Sequence, residues 1–151
     1  MRQNTRSGEA SMPSAASTAR PRILIIDDDR DFCISTTALL ENEGYAVSSV
    51  ASGKEGVAAV RKSRPDLVVL DVMMEYAFAG YEVNQALKFG SEAADRAIPI
   101  VMVSSVPLDP ATRFSGAVEA EMVTPDDYLV KPLDIDKLLS TVRDLLQRRR
   151  G

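Results

Sequence analysis

A run of apolar residues that ends on a carboxylate is the feature that most constrains the fold of this chain. Leu67 to Leu70 reads LVVL without a polar interruption, and Asp71 follows directly. A run of this length is typical of a strand covered on both faces of a parallel sheet, and it is too short for most helices. Because burying a charge is costly, we expect Asp71 at the solvent-facing carboxyl end of the strand, where open α/β sheets bind ligands.

Strand-like runs alternate with helix-like periods along the rest of the chain. Besides the strand at Asp66, strands are predicted at 22–26, 45–50, 98–103 and 127–130. Helices are predicted after Asp28 or Asp29 up to Gly44, from Gly53 with Ser52 as its cap to about Arg64, from Gly80, and from Leu133 to the arginines at the end. Since parallel strands need covering crossovers, the pattern predicts an α/β fold with a five-stranded parallel sheet and helices on both faces.

Composition limits the domain organisation and the function class. The chain of 151 residues suits one domain, predicted over 22–147, with a disordered N-terminal tail over 1–21 and a basic C-terminal tail over 148–151. No apolar run is long enough to span a membrane and no secretion signal is visible, so a cytoplasmic location is expected. Cys33 is the single cysteine and there is no histidine, which excludes the usual zinc sites and Ser-His or Cys-His catalysis.

Polar residues follow the predicted strands at the same end. Asp27 and Asp28 come after the first strand, Asp71 ends the third, Ser104 follows the fourth, and Lys131 follows the fifth. The carboxyl ends of parallel strands meet at one edge of a sheet, so these side chains are expected to converge there.

The chemistry of such a cluster follows from its charges. Three carboxylates about 4 Å apart repel by about 4 kcal/mol per pair at an effective dielectric constant of about 20. One lysine does not offset this, and an open pocket of oxygen ligands is suited to Mg²⁺. A metal ion, Lys131 and a hydroxyl around one further carboxylate describe a receptacle for a phosphoryl group, which Asp71 could attack.

The chain resembles a receiver domain of the two-component response regulators over about residues 22–147. The resemblance is carried by the acidic pair after the first strand, LDVMM around Asp71, VMVSS ending at Ser104 and Ser105, and YLVKPL with Lys131-Pro132. It implies a flavodoxin-like, doubly wound fold with strand order 2-1-3-4-5.

The resemblance also implies roles for individual residues. Asp71 would accept a phosphoryl group from a sensor histidine kinase or a histidine phosphotransfer protein, assisted by Lys131 and Ser104. Mg²⁺ would be bound by Asp27 or Asp28, Asp71 and the backbone carbonyl of Met73. Ser104 and Tyr128 would form the switch, and the Lys131-Pro132 bond is expected to be cis.

The resemblance further implies how the protein signals. The protein would be a phosphoacceptor that catalyses its own phosphotransfer and dephosphorylation, not an enzyme with a separate substrate. It would present a changed surface to a downstream protein target, and the family also allows a dimer that forms on phosphorylation. No membrane span and no DNA-binding domain are predicted in this sequence.

Two stretches depart from the family pattern. Glu75 stands where the family usually has a proline, and the loop to Gly80 is one residue longer. The segment between Ser104 and Lys131 is also longer, so a short or irregular fourth helix is expected. Met73, two residues after Asp71, is predicted to screen a phosphoryl group from water and to slow its hydrolysis.

Two other functions are compatible with parts of the pattern. An aspartate-nucleophile phosphatase would use Asp27 as its nucleophile, but that interpretation leaves Asp71 without a role. A receiver-like scaffold that is never phosphorylated would not need the full set of site residues.

Overall fold

Five strands alternate with helices in the computed structural model, which describes residues 19–74, 79–105 and 125–150. In chain order the elements are β1 (Arg22–Ile26), α1 (Arg30–Asn42), β2 (Ala46–Val50), α2 (Gly53–Ser63), β3 (Leu67–Asp71), α3 (Ala79–Lys88), α4 (Ala93–Arg96), β4 (Ile100–Ser104), β5 (Asp127–Val130) and α5 (Ile135–Arg150).

All five strands belong to one parallel sheet with the order β2-β1-β3-β4-β5. The central strand β3 is buried at every residue, as its unbroken apolar run predicts. The predicted α/β fold and its strand order are therefore confirmed.

Successive side chains of each strand point to opposite faces of the sheet and so create two cores. The first core combines alternate strand residues with Leu40 of α1 and with Leu138 and Val142 of α5. The second combines the other strand residues with Val60 of α2 and with Val83 and Leu87 of α3. The strand residues of the first core are Ile23, Ile25, Leu67, Val69, Val101, Val103 and Leu129. Those of the second are Leu24, Ile26, Val68, Leu70, Ile100 and Met102.

Local signals at the helix ends have the predicted effect. The Asp29 side chain accepts a hydrogen bond from the Phe32 N–H at 3.1 Å, and Ser52 accepts one from the Glu55 N–H at 3.1 Å. Gly44, which ends the first helical stretch, has φ of 97°, a conformation that favours glycine.

Some element boundaries differ from the predictions for identifiable reasons. The predicted fourth strand began at Ile98, but the Ile98 N–H donates to the carbonyl of Asp95 and Pro99 has no N–H, so β4 begins at Ile100. The N–H of Tyr45 donates to the carbonyl of Leu40, which leaves β2 to begin one residue later. Backbone groups used by turns are not available to the sheet.

The short helix α4 was not predicted, and it carries a buried carboxylate. Asp95 is 1% exposed and forms ion pairs with Arg61, at 3.2 Å, and with Arg64. The Arg61 side chain is half exposed and joins α2 to α4 through this ion pair. The two ion pairs connect α4 to the C-terminal end of α2.

Several sequence-based predictions fall outside the described residues. These are most of the N-terminal tail, the residue Glu75 in the altered loop, and the irregular fourth helix expected after Ser105. At the other end, α5 continues through Arg150, so the predicted basic tail extends this helix. Within the described ranges, no helix has the length and apolar character needed to cross a bilayer.

Candidate functional site

The predicted site residues lie on neighbouring strands at one edge of the sheet. Ile26 is paired with Leu70, so Asp27 and Asp71, which each come next in the chain, lie beside each other at the ends of β1 and β3. Asp71 is paired with Val103, and Ser104 with Val130, which places Lys131 just beyond Ser104. The backbone N–H of Lys131 donates to the Ser104 carbonyl at 2.7 Å. Residues far apart in sequence are thus brought to one edge by strand register.

Three carboxylates form the acidic part of the site. Asp27, Asp28 and Asp71 each offer one oxygen, and these oxygens lie within 4.8 Å of one another. Asp27 is 2% exposed and Asp71 6% exposed, whereas Asp28 is exposed. Asp71 was expected to face solvent at the strand end; it lies at that end but is nearly covered. The cluster therefore combines buried charge with one open side.

Lys131 is the cation that the structure places among these carboxylates. Its ammonium lies 2.9 Å from Asp27 Oδ2 and 3.9 Å from Asp71 Oδ1, with the side chain 18% exposed. The predicted cis bond between Lys131 and Pro132 is present. Lys131 is thus paired more closely with Asp27 than with Asp71, the phosphoacceptor that the resemblance implies.

The electrostatic environment keeps Asp71 partly protonated near neutral pH. Burial, followed by the charge of Asp27, raises the pKa of Asp71 from 3.8 to about 7. Lys131 and the N–H of Met73 act in the opposite direction without cancelling this effect. A buried carboxylate beside another carboxylate is stabilised by an added cation.

The carboxylates fit a divalent metal such as Mg²⁺. Mg²⁺ prefers oxygen ligands, usually one or two carboxylates plus water. Asp27 and Asp71 supply carboxylates from the sheet, Asp28 supplies one from the open side, and that side leaves room for water. Burial and the charge of Asp27 raise the pKa of Asp71, and a cation bound at the cluster would oppose both effects.

The two buried acids differ in how their oxygens are used. Asp27 accepts a hydrogen bond from the Asp29 N–H at 2.8 Å through Oδ1, while its Oδ2 faces Lys131. Asp71 lies farther from its donors, at 3.4 Å from the N–H of Met73 and 3.9 Å from the Lys131 ammonium, and it also interacts with the side chain of Asp27. Asp27 therefore binds its backbone donor and the lysine more closely than Asp71 does.

The remaining predicted residues lie around this cluster. Ser104 is buried at the end of β4, and Tyr128 lies on β5 with its side chain packed against the second core. Met73 follows Asp71 by two residues and is 44% exposed. The structure thus brings the predicted residues to this edge except Tyr128, which is paired with Met102 two residues before the strand end, and their roles in phosphorylation stay predictions.

Two residues near the site were not recognised from the sequence. Gly80 was read only as a helix start, yet a Cβ on it would overlap the backbone carbonyl of Asp71, and its N–H bonds to Val72 O at 2.7 Å. The sequence predicts no role at the site for Phe32, yet its ring centroid lies 4.2 Å from the Lys131 ammonium. For Gly80, the only signal in the sequence is that a glycine stands nine positions after Asp71.

Comparison with known proteins agrees with this geometry. The family model described as the response regulator receiver domain matches residues 23–143. A CheY-like response regulator receiver domain protein from Methanospirillum hungatei has a similar structure, with a TM-score of 0.73 and 25% identity, covering 87% of this chain and 98% of that one.

Two curated relatives are similar in sequence. The DNA-binding dual master transcriptional regulator RpaA of Synechocystis sp. is 35% identical over 85% of this chain and 50% of its own length. The DNA-binding response regulator MtrA of Mycobacterium tuberculosis is 34% identical over 87% of this chain and 53% of its own length. The chain thus spans about half the length of these relatives. It belongs to the response regulator receiver domains, the signalling domains of two-component systems that work with histidine kinases.

Proposed function

We propose that Asp71 is the phosphoacceptor of this receiver domain, and that the donor is a phosphohistidine on a sensor histidine kinase or a histidine phosphotransfer protein. The observation that carries this proposal is the position of Asp71 at the end of the central strand, with Lys131 at 3.9 Å and two further carboxylates around it. The family match supplies the partner class, because receiver domains work with histidine kinases.

The proposed step is a single phosphoryl transfer. A carboxylate oxygen of Asp71 attacks phosphorus and forms a P–O bond while the P–N bond to histidine breaks. The electron pair of that bond stays on the histidine nitrogen. The ammonium of Lys131 offsets charge on the transferred oxygens, and the hydroxyl of Ser104 donates to one of them. Ser104 and Tyr128 then change position and alter the surface that a downstream protein target reads.

Mg²⁺ is the cofactor proposed for this step. Asp27, Asp28, Asp71 and the backbone carbonyl of Met73 are its proposed ligands, and the acidic triad with its open side supports the first three. When bound, Mg²⁺ supplies positive charge against the oxygens of the phosphoryl group. Asp71 must be ionised to attack, and a pKa near 7 means that a cation at the site increases the reactive fraction.

The geometry favours Asp71 over Asp27 as the nucleophile. Both oxygens of Asp27 have short contacts, to the Asp29 N–H at 2.8 Å and to the Lys131 ammonium at 2.9 Å. An oxygen in such contacts is a weaker nucleophile, since its lone pairs and charge are already engaged. This observation argues against the phosphatase alternative.

The test is incubation with acetyl phosphate and Mg²⁺, followed by intact mass measurement. We expect one phosphoryl adduct on the unmodified protein, none on Asp71→Asn, and an unchanged adduct on Asp144→Asn, a control at an exposed carboxylate of α5. An adduct that Asp71→Asn keeps and Asp27→Asn loses would identify the phosphatase instead. If the protein takes no phosphoryl group from acetyl phosphate or from a kinase, the proposal fails and the receiver-like scaffold that is never phosphorylated is favoured.

A further inference from the structure

The ring of Phe32 is a neighbour of Lys131 to which no function has been assigned. We propose that Phe32 is a positioning residue, which holds the Lys131 ammonium beside Asp71 through a cation–π contact. The inference rests on the proposed function, because it concerns the lysine that would meet the transferred phosphoryl group.

Phe32 is itself held firmly. It lies in the first turn of α1, where its N–H donates to the side chain of Asp29 at 3.1 Å. Its side chain packs against the core between the sheet and α5. The position of the ring is therefore set by its packing against the core.

The Lys131 ammonium has three described contacts, two with carboxylates and one with this ring. The ring centroid lies 4.2 Å away, within the distance at which a ring face attracts a cation. The lysine side chain is 18% exposed, so the ammonium has lost much of its water. Cation–π attraction is stronger for a desolvated cation than for an exposed one.

The ring differs from the two carboxylates in what else it can bind. Asp27 and Asp71 both belong to the acidic triad, so a metal ion there would share them with Lys131. An aromatic ring is not a Mg²⁺ ligand. The cation–π contact with the ring is therefore the contact of the ammonium that does not weaken when a metal ion shares the two carboxylates.

A groove beside Lys131 is lined by two further carboxylates. Phe32 and Lys131 line a groove of about 560 Å³, which is also lined by Asp29 and Asp31. A lysine released from the ring could turn into this groove toward those two carboxylates. The ring thus keeps the ammonium beside Asp71 and away from the competing carboxylates of Asp29 and Asp31.

The experiment replaces Phe32 by 4-fluoro-, 3,5-difluoro- and 3,4,5-trifluorophenylalanine in the full chain. Each fluorine withdraws electron density from the ring face while the shape for packing is nearly kept. The same analogues at Phe89, an exposed phenylalanine outside the site, are the matched control. Two quantities are measured: the rate of Asp71 phosphorylation by acetyl phosphate with Mg²⁺, and the ring-current shift of the Lys131 ε protons, assigned with Lys131→Arg.

We expect the phosphorylation rate to fall stepwise, by at least about fivefold with three fluorines, because fivefold corresponds to the loss of an exposed cation–π contact and a desolvated one is stronger. The Lys131 shift should decrease in the same order, Phe32→Tyr should keep both values, and the Phe89 series should change neither. Equal rates with unchanged Lys131 shifts would overturn the inference and leave Phe32 as a packing residue, as would a lower rate with unchanged shifts.

The proposed function fails separately, if the unmodified protein takes no phosphoryl group. In that case the ring-current shifts of the Lys131 ε protons alone test whether the ring holds the ammonium. Shifts that do not change on fluorination would refute this contact as well.

Discussion

Replacing Asp71 by asparagine should stabilise the metal-free protein, although it removes the proposed phosphoacceptor. The folded protein raises the pKa of Asp71 from 3.8 to about 7, so it binds the proton more tightly than the unfolded chain does. A raised carboxyl pKa makes stability fall as the pH rises between these two values, and the full cost is present above the higher one. A shift of this size corresponds to about 4 kcal/mol at pH 8, and to about 2 kcal/mol at pH 5.

The charges of the site explain why this cost is not cancelled. The carboxylates of Asp27 and Asp71 lie within 4.8 Å of each other, so at an effective dielectric constant of about 20 they repel by at least about 3 kcal/mol. Lys131, at 3.9 Å from Asp71, offsets about 4 kcal/mol on the same scale. Burial of Asp71, which is 6% exposed, is the largest cause of its raised pKa, and the repulsion by Asp27 adds to it.

The assay is urea denaturation in EDTA at pH 5 and pH 8, with the unmodified protein, Asp71→Asn, and Asp144→Asn as the exposed control. We expect Asp71→Asn to have the larger free energy of unfolding, by about 4 kcal/mol at pH 8 and by about 2 kcal/mol at pH 5. The control should differ little at either pH. A variant less stable than the unmodified protein at pH 8, or a difference that does not depend on pH, would refute the reasoning.

Four further outcomes follow from the same geometry. Mg²⁺ should raise the free energy of unfolding of the unmodified protein at pH 8 and have little effect on an Asp27→Asn/Asp71→Asn double variant, measured by denaturation with and without the metal. Met73→Ala should shorten the lifetime of the phosphoryl adduct in a mass time course, and an unchanged lifetime would remove the screening role. Gly80→Ala should lower the urea midpoint by the equivalent of about 1–3 kcal/mol, because its Cβ would meet the backbone of Asp71. Cys33, which is 8% exposed and whose pKa burial raises, should alkylate slowly with iodoacetamide at pH 8 until urea is added.

The sequence was sufficient for the elements whose signals are local. An unbroken apolar run is enough to identify a buried strand such as β3, and capping side chains such as Asp29 and Ser52 mark where helices begin. The parallel sheet follows from the alternation of these elements, and the meeting of Asp27, Asp71, Ser104 and Lys131 follows from the sheet. The predicted strand starts at Tyr45 and Ile98 were wrong, because competing turn hydrogen bonds decided these boundaries.

The sequence by itself thus determined which residues reach the carboxyl edge, because strand ends are set by local pattern and strand register carries them together. Only the tertiary structure decided that Lys131 lies closer to Asp27 than to Asp71, that Asp71 is nearly covered, and that the Phe32 ring touches the ammonium. The physical reason is that distance and desolvation arise from packing between elements remote in the chain, and no local pattern encodes them.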